Sequence, residues 1–197
     1  MIDKKIIENR ISETSNLINS LTSLSDKIID AIELIHNQIS KGGTVYWCGN
    51  GGSAADSQHM AAELMGKLNS LRKPIKSIAL TTDTSFITAW SNDIHYEDIF
   101  SRQLEGLAGK NDILVAISTS GKSKNIIKAL KTAKDINLPS ILLTGLGAPD
   151  STTTLSDMVI SVNSSKTPVI QESFLIIEHI ICENIDQFFS DKTNLNE

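Results

Sequence analysis

The sequence has no run approaching the roughly 20 apolar residues that a membrane-spanning helix needs; its apolar stretches are short and interrupted. It also has no Lys/Arg cluster, and 23 acidic against 18 basic residues leave a formal net charge of −5. A nucleic-acid partner held through phosphate contacts requires a basic face, so that class is set aside, as is the membrane. Cysteine is scarce: Cys48 and Cys182 stand far apart, the pattern of free, buried thiols in a cytoplasmic protein. Residues Met1 to Asn19 are polar and lack the apolar core of a signal peptide. There is no internal repeat, low-complexity tract or proline-rich linker, so residues 1–197 are expected to form a single domain.

What remains is an ordinary globular composition, 40% hydrophobic and 21% charged, on a chain long enough to bury a core. Ile7, Ile11, Leu17, Leu21, Leu24, Ile28, Ile32, Ile35 and Ile39 recur at three- and four-residue steps with one wider gap, predicting a helix over 4–40. Its apolar stripe needs a surface to cover, in its own chain or in a second subunit. Lys41-Gly42-Gly43 ends it. An N-terminal helical segment (1–41) thus precedes an α/β core (42–190), with 191–197 as a frayed tail.

Within the core, strand-like runs Thr44–Cys48, Ser77–Leu80, Asp112–Ile117, Ser140–Thr144 and Met158–Val162 are separated by helical patterns. Helices are expected at Ala54–Lys67, Ser85–Trp90, Tyr96–Leu107, Lys124–Asp135 and from Pro168 to about Phe189. Alternation of this kind predicts an α/β fold, a five-stranded parallel sheet flanked by helices. Ligands of such sheets bind beyond the carboxyl ends of the strands, here after Cys48, Leu80, Ile117 and Thr144.

Two of those loops are made of small residues. Gly49-Asn50-Gly51-Gly52-Ser53-Ala54 has a superficial dinucleotide-binding spacing, but a long leading helix and the lack of a well-placed acidic residue argue against a nicotinamide cofactor. Ser118-Thr119-Ser120-Gly121-Lys122-Ser123 misses a P-loop because Ala116 stands where its first glycine belongs. A helix cap needs one hydroxyl; four hydroxyls in six residues suit a phosphate at a helix N-terminus.

His59 and Glu63 lie four apart on the helix after the glycine loop, with Cβ atoms about 6 Å apart on one face. That spacing serves two ligands of one metal, a base and its neighbour, or a solvated pair. Gln171 and His179 lie on the final, strongly apolar helix, where a histidine is first read as a satisfied core residue. Eight helical residues span about 12 Å. Both can therefore reach one ion only from different subunits or from an irregular helix. His36 and His95 read as surface groups.

The segments Cys48–Asp56, Gln58-His59, Ala61–Leu64, Asn92-Asp93, Ile99–Gln103, Ile117–Gly121 and Ile170-Gln171-Glu172 followed by His179 resemble the signatures of phosphoheptose isomerases of the sugar isomerase (SIS) domain superfamily. The match runs in order from about residue 40 to 188, and the N-terminal helix fits in length and place. The resemblance implies a flavodoxin-like fold and a homotetramer with active sites at subunit interfaces. It also implies interconversion of sedoheptulose 7-phosphate and D-glycero-D-manno-heptose 7-phosphate for bacterial surface polysaccharide. By position it makes Glu63 the base and His179 the acid, and sets His59, Glu63, Gln171 and His179 around one zinc ion per subunit. It assigns substrate contacts to Asn50, Gly51, Gly52, Ser53, Glu63, Asn92, Asp93, Ser118, Thr119, Ser120, Ser123 and Gln171. Lys67, Pro168 and Val169 depart from the family pattern and keep an isomerase of another phosphorylated sugar as the alternative. A relative that binds the bacterial replication initiator lacks the acid and base, whereas Glu63 and His179 are present here.

Overall fold

The computed structural model describes residues 3–191. The N-terminal segment is helical but not one helix: α1 (Lys4–Ser20) and α2 (Ser25–Ile39) are separated by a 3-10 turn over Leu21–Leu24. Side chains spaced three apart eclipse in such a turn, and here it divides the segment into two unlike halves. α2 buries Ile28, Ala31, Ile32, Ile35 and Ile39. α1 buries nothing, and Ile6, Ile7 and Ile11 are exposed. The expected apolar stripe therefore covers this chain's own core over its second half only.

The core follows as β1 (Val45–Cys48), α3 (Gly52–Met65), β2 (Ser77–Ala79), α4 (Thr84–Asp93), α5 (Ser101–Leu107), β3 (Ile113–Ser118), α6 (Lys124–Asp135), β4 (Ser140–Gly145), α7 (Asp150–Thr153), β5 (Met158–Val162) and α8 (Thr167–Asp191). Most agree with the expected runs to within two residues. The exceptions are α4, which runs three residues past the expected Trp90, the short α7, which lies outside the expected runs, and 96–107, where a 3-10 turn at Tyr96–Asp98 precedes α5. Asp191 is still helical; the rest of the expected frayed tail, 192–197, lies outside the described residues.

All five strands pair in parallel in the order β2-β1-β3-β4-β5. Alternate strand residues divide between two cores. Trp47, Val115, Ile117 and Leu143 face α2, α3 and α8. Tyr46, Cys48, Leu114, Ala116 and Leu142 face α5 and α6. Among the described residues no helix is long and apolar enough to cross a membrane.

Helices α3 and α8, which carry the candidate acid and base, are bolted together at one end. Arg72 and Asp186 form a buried ion pair, Nε to Oδ1 at 2.6 Å, with side chains 0% and 2% exposed. Arg72 also donates to the carbonyls of Glu63 and Leu64 at 2.9 Å, which the last turn of α3 leaves without helical partners. Asp186 lies two turns beyond His179, on the same stretch of α8. Arg72→Met should cost about 3–5 kcal/mol, because it strands a buried carboxylate and uncaps α3. Arg72→Met/Asp186→Leu should recover most of that loss in urea unfolding. Equal losses in the single and double variants would remove the stranded charge as the cause.

Candidate active site

With β1 beside β3 and helices crossing in opposite directions from them, the sheet has its topological switch point between these strands. The two small-residue loops leave β1 and β3 and so meet there. Together they line a cleft of about 340 Å³ whose walls include Asn50, Gly51, Gly52, Ser53, Ser118, Thr119, Ser123, Thr167 and Gln171. Ser120 and Lys122 line a smaller neighbouring cleft that shares Thr119 and Thr167. Asn92 and Asp93 are exposed at the end of α4, bonded to each other, and do not line either cleft.

The glycine loop is tight for steric reasons. Gly51 has φ +58° and ψ −120°, a conformation that side chains disfavour. A Cβ on Gly52 would overlap the Gln171 carboxamide. The hydroxyl loop is equally specific. Ser123 occupies the N-cap position of α6, yet its side chain makes no cap bond; its Oγ lies 3.4 Å from that of Ser118. Ser120 Oγ accepts from the Lys122 N–H at 3.2 Å, which leaves the Thr119, Ser120 and Ser123 hydroxyl protons to donate to a ligand beside a helix N-terminus.

A second cluster lies between α3 and α8. One ligand atom each from His59, Glu63 and His179 falls within 4.8 Å of the others. His59 Nε2 is 3.0 Å from Glu63 Oε1, and the His59 and His179 rings meet edge to face at 5.0 Å. Gln171 lines the cleft at the glycine loop, against Gly52. α8 is continuous from Thr167 to Asp191, so Gln171 reaches the glycine loop while His179, two turns on, reaches His59. His95 is exposed, as expected, whereas His36 is half-buried against Phe188 and Phe189.

Two carboxyls beside the cluster escaped the sequence reading. Asp56 stands one turn before His59, and Glu178 immediately precedes His179. Glu178 is fully buried and, among the described residues, neither of its oxygens has a hydrogen-bond partner; Asp56 Oδ2 is likewise unpaired there. Burial, then the nearby Asp56 charge, pushes the Glu178 carboxyl up to about 8. Burial raises Asp56, with His59 opposing. A glutamate inside the run Ile176-Ile177-Glu178 was the available signal. Cys48 and Cys182 are buried and free, and burial raises both thiols far above the range of a reactive cysteine.

Hydroxyls at a switch point and a histidine–carboxylate cluster about two turns further along α3 and α8 define the class: an α/β enzyme domain suited to a small phosphorylated ligand and to proton transfer. A family model described as SIS domain matches residues 11–145. Phosphoheptose isomerases are similar along nearly the whole chain. That of Helicobacter pylori (strain P12) is 42% identical over 98% of this chain and all of its own. One from Campylobacter jejuni (strain 81116) is 43% identical over 93% and 98%. Among solved structures, the Neisseria gonorrhoeae phosphoheptose isomerase superposes with TM-score 0.87 at 35% identity, over 93% of this chain and 98% of that one. The Francisella tularensis enzyme gives 0.90 at 32%, over 95% and 100%. The chain belongs to the phosphoheptose isomerase family, and with it to the sugar-phosphate isomerases.

Proposed function

We propose that this enzyme interconverts D-sedoheptulose 7-phosphate and D-glycero-D-manno-heptose 7-phosphate in the cytoplasm, supplying heptose for bacterial surface polysaccharide. The observation that carries the reading is the convergence of His59, Glu63 and His179 beside a hydroxyl-lined cleft, in a chain of this family.

The phosphate takes its place against Ser118, Thr119, Ser120 and Ser123, where hydroxyls and the first-turn N–H groups of α6 donate to its oxygens. Asn50, Gly51, Gly52, Ser53 and Gln171 line the wall along which the sugar lies. Moving the carbonyl from C2 to C1 requires a proton taken from C1, a cis-enediol in which the O1 proton passes to O2, and a proton delivered at C2. Glu63 removes the first and His179 supplies the second.

The nitrogen–oxygen–nitrogen donor set of His59, Glu63 and His179 fits zinc. An ion held by these three residues would supply positive charge to polarise the carbonyl and stabilise the enediolate. Gln171 faces the cleft of its own chain, so a fourth ligand of this kind comes from a neighbouring copy, as do substrate contacts from Asn92 and Asp93. Support for a homotetramer lies in the exposed Ile6, Ile7 and Ile11 of α1. A second apolar surface, the groove lined by Ile18, Ile29, Ile176 and Ile180, adds to it.

The test is proton NMR of sedoheptulose 7-phosphate with purified protein, before and after chelation and with zinc returned. Turnover lost on chelation and restored by zinc is expected, with a tetramer in sedimentation. A zinc-loaded protein that leaves this sugar unchanged sinks the heptose assignment, and other phosphorylated ketoses become the candidates.

A further inference from the structure

The first four N–H groups of a helix lack intrahelical partners. In α6 the N-cap hydroxyl of Ser123 leaves them uncapped, and Asn125, inside the first turn, covers one. Its Oδ1 accepts from the Ile126 N–H at 3.0 Å. A backbone N–H only donates, so this bond settles which end of the Asn125 amide is oxygen. Asn125 is 3% exposed, and its remaining contacts carry that orientation onward. Its Nδ2 donates to Asn50 Oδ1 at 2.8 Å, and Asn50 Nδ2 donates back to Asn125 Oδ1 at 2.9 Å. Tyr96 Oη donates to the same Asn50 Oδ1 at 2.9 Å.

Asn50 is thereby left with one hydrogen-bonding capacity. Both lone pairs of its Oδ1 are used, by Asn125 and by Tyr96. One Nδ2 hydrogen goes to Asn125. The other is what Asn50 can still offer a ligand in the cleft it lines.

We propose that Asn125 and Tyr96 are positioning residues that lock the Asn50 carboxamide, so that this wall of the cleft presents a single N–H donor and selects an acceptor oxygen of the sugar phosphate. The lock starts at the first turn of α6 and ends at the glycine loop, so the same helix start that leaves Ser123 without a cap bond also orients the opposite wall. The inference rests on the sugar-phosphate reading of the cleft.

A double-mutant cycle tests it. Tyr96→Phe removes only an exposed hydroxyl. Asn125→Asp keeps the bond to Ile126 N–H but sets an oxygen against Asn50 Oδ1. In the wild-type background we expect kcat/KM for sedoheptulose 7-phosphate to fall about 3–10-fold with Tyr96→Phe and about 10–100-fold with Asn125→Asp. In an Asn50→Ala background each change should cost less than about twofold, because residues acting through one group are non-additive. Undiminished losses in that background overturn the proposal; the added charge of Asn125→Asp acting on its own would produce that result. The second readout is the Asn50 side-chain amide pair in the ¹⁵N–¹H spectrum of ligand-free protein. Its two protons should shift in Tyr96→Phe, and an unmoved pair overturns the lock. This readout decides the positioning role even if the wild type fails to turn the heptose over, an outcome that sinks only the substrate reading.

Discussion

Glu63→Gln should lower kcat by about 10²–10⁴-fold, the range for loss of a general base, while KM for the sugar phosphate stays near that of the wild type. The substitution keeps the shape of a half-buried side chain and removes only its basicity. The phosphate is held elsewhere, by the hydroxyl loop after β3. His179→Ala should produce a loss of similar size from the facing helix. Metal analysis of the same samples separates the roles of Glu63. Activity lost with metal retained makes Glu63 the base, and metal lost with activity makes it first a ligand. A Glu63→Gln enzyme retaining more than about a tenth of wild-type turnover would remove it from the proton transfer.

The second large effect is on stability. Glu178 is buried with both oxygens unpaired, and desolvation, then Asp56, holds its pKa near 8 against an ordinary 4.5. A carboxyl whose folded pKa lies above its unfolded one favours the folded state fully only below the unfolded value. Below about pH 4.5 both states keep the proton and Glu178 costs nothing extra. Between about 4.5 and 8 the unfolded chain ionises and the folded one does not, so stability declines as pH rises. Above about 8 the decline is complete. Glu178→Gln removes the ionisation and keeps the shape. Its advantage over wild type should grow from near zero at pH 4.5 to roughly 3–5 kcal/mol at pH 9. Urea unfolding of metal-free protein at matched concentration and several pH values measures it. Parallel pH profiles for the two proteins would show that Glu178 finds a partner or water on folding.

Much of the site was legible because its parts are local. The i, i+4 spacing of His59 and Glu63 survives folding because a helix enforces it. The hydroxyl-rich loop was in excess of capping need, and the structure leaves Ser123 without a cap bond. Asn125 was missed, although an asparagine in a first helical turn competes with the backbone and so marks a local hydrogen bond. Tyr96, 46 positions from Asn50, left no local trace.

Period and composition alone determined the alternation of strands and helices, the start and end of α6, and the face shared by His59 and Glu63. These are properties of the chain over one or two turns. The tertiary structure decided the rest. Strand order brought the loops after β1 and β3 together, out of four candidate loops. Helix packing set His179 against His59, 120 positions away, while sending Gln171 of the same helix to the other cleft. It also placed the half-buried Asp56 beside the fully buried Glu178. Which distant residues meet depends on strand register and on which helix faces pack, and those are fixed by summed burial over the whole core rather than by any short run of sequence.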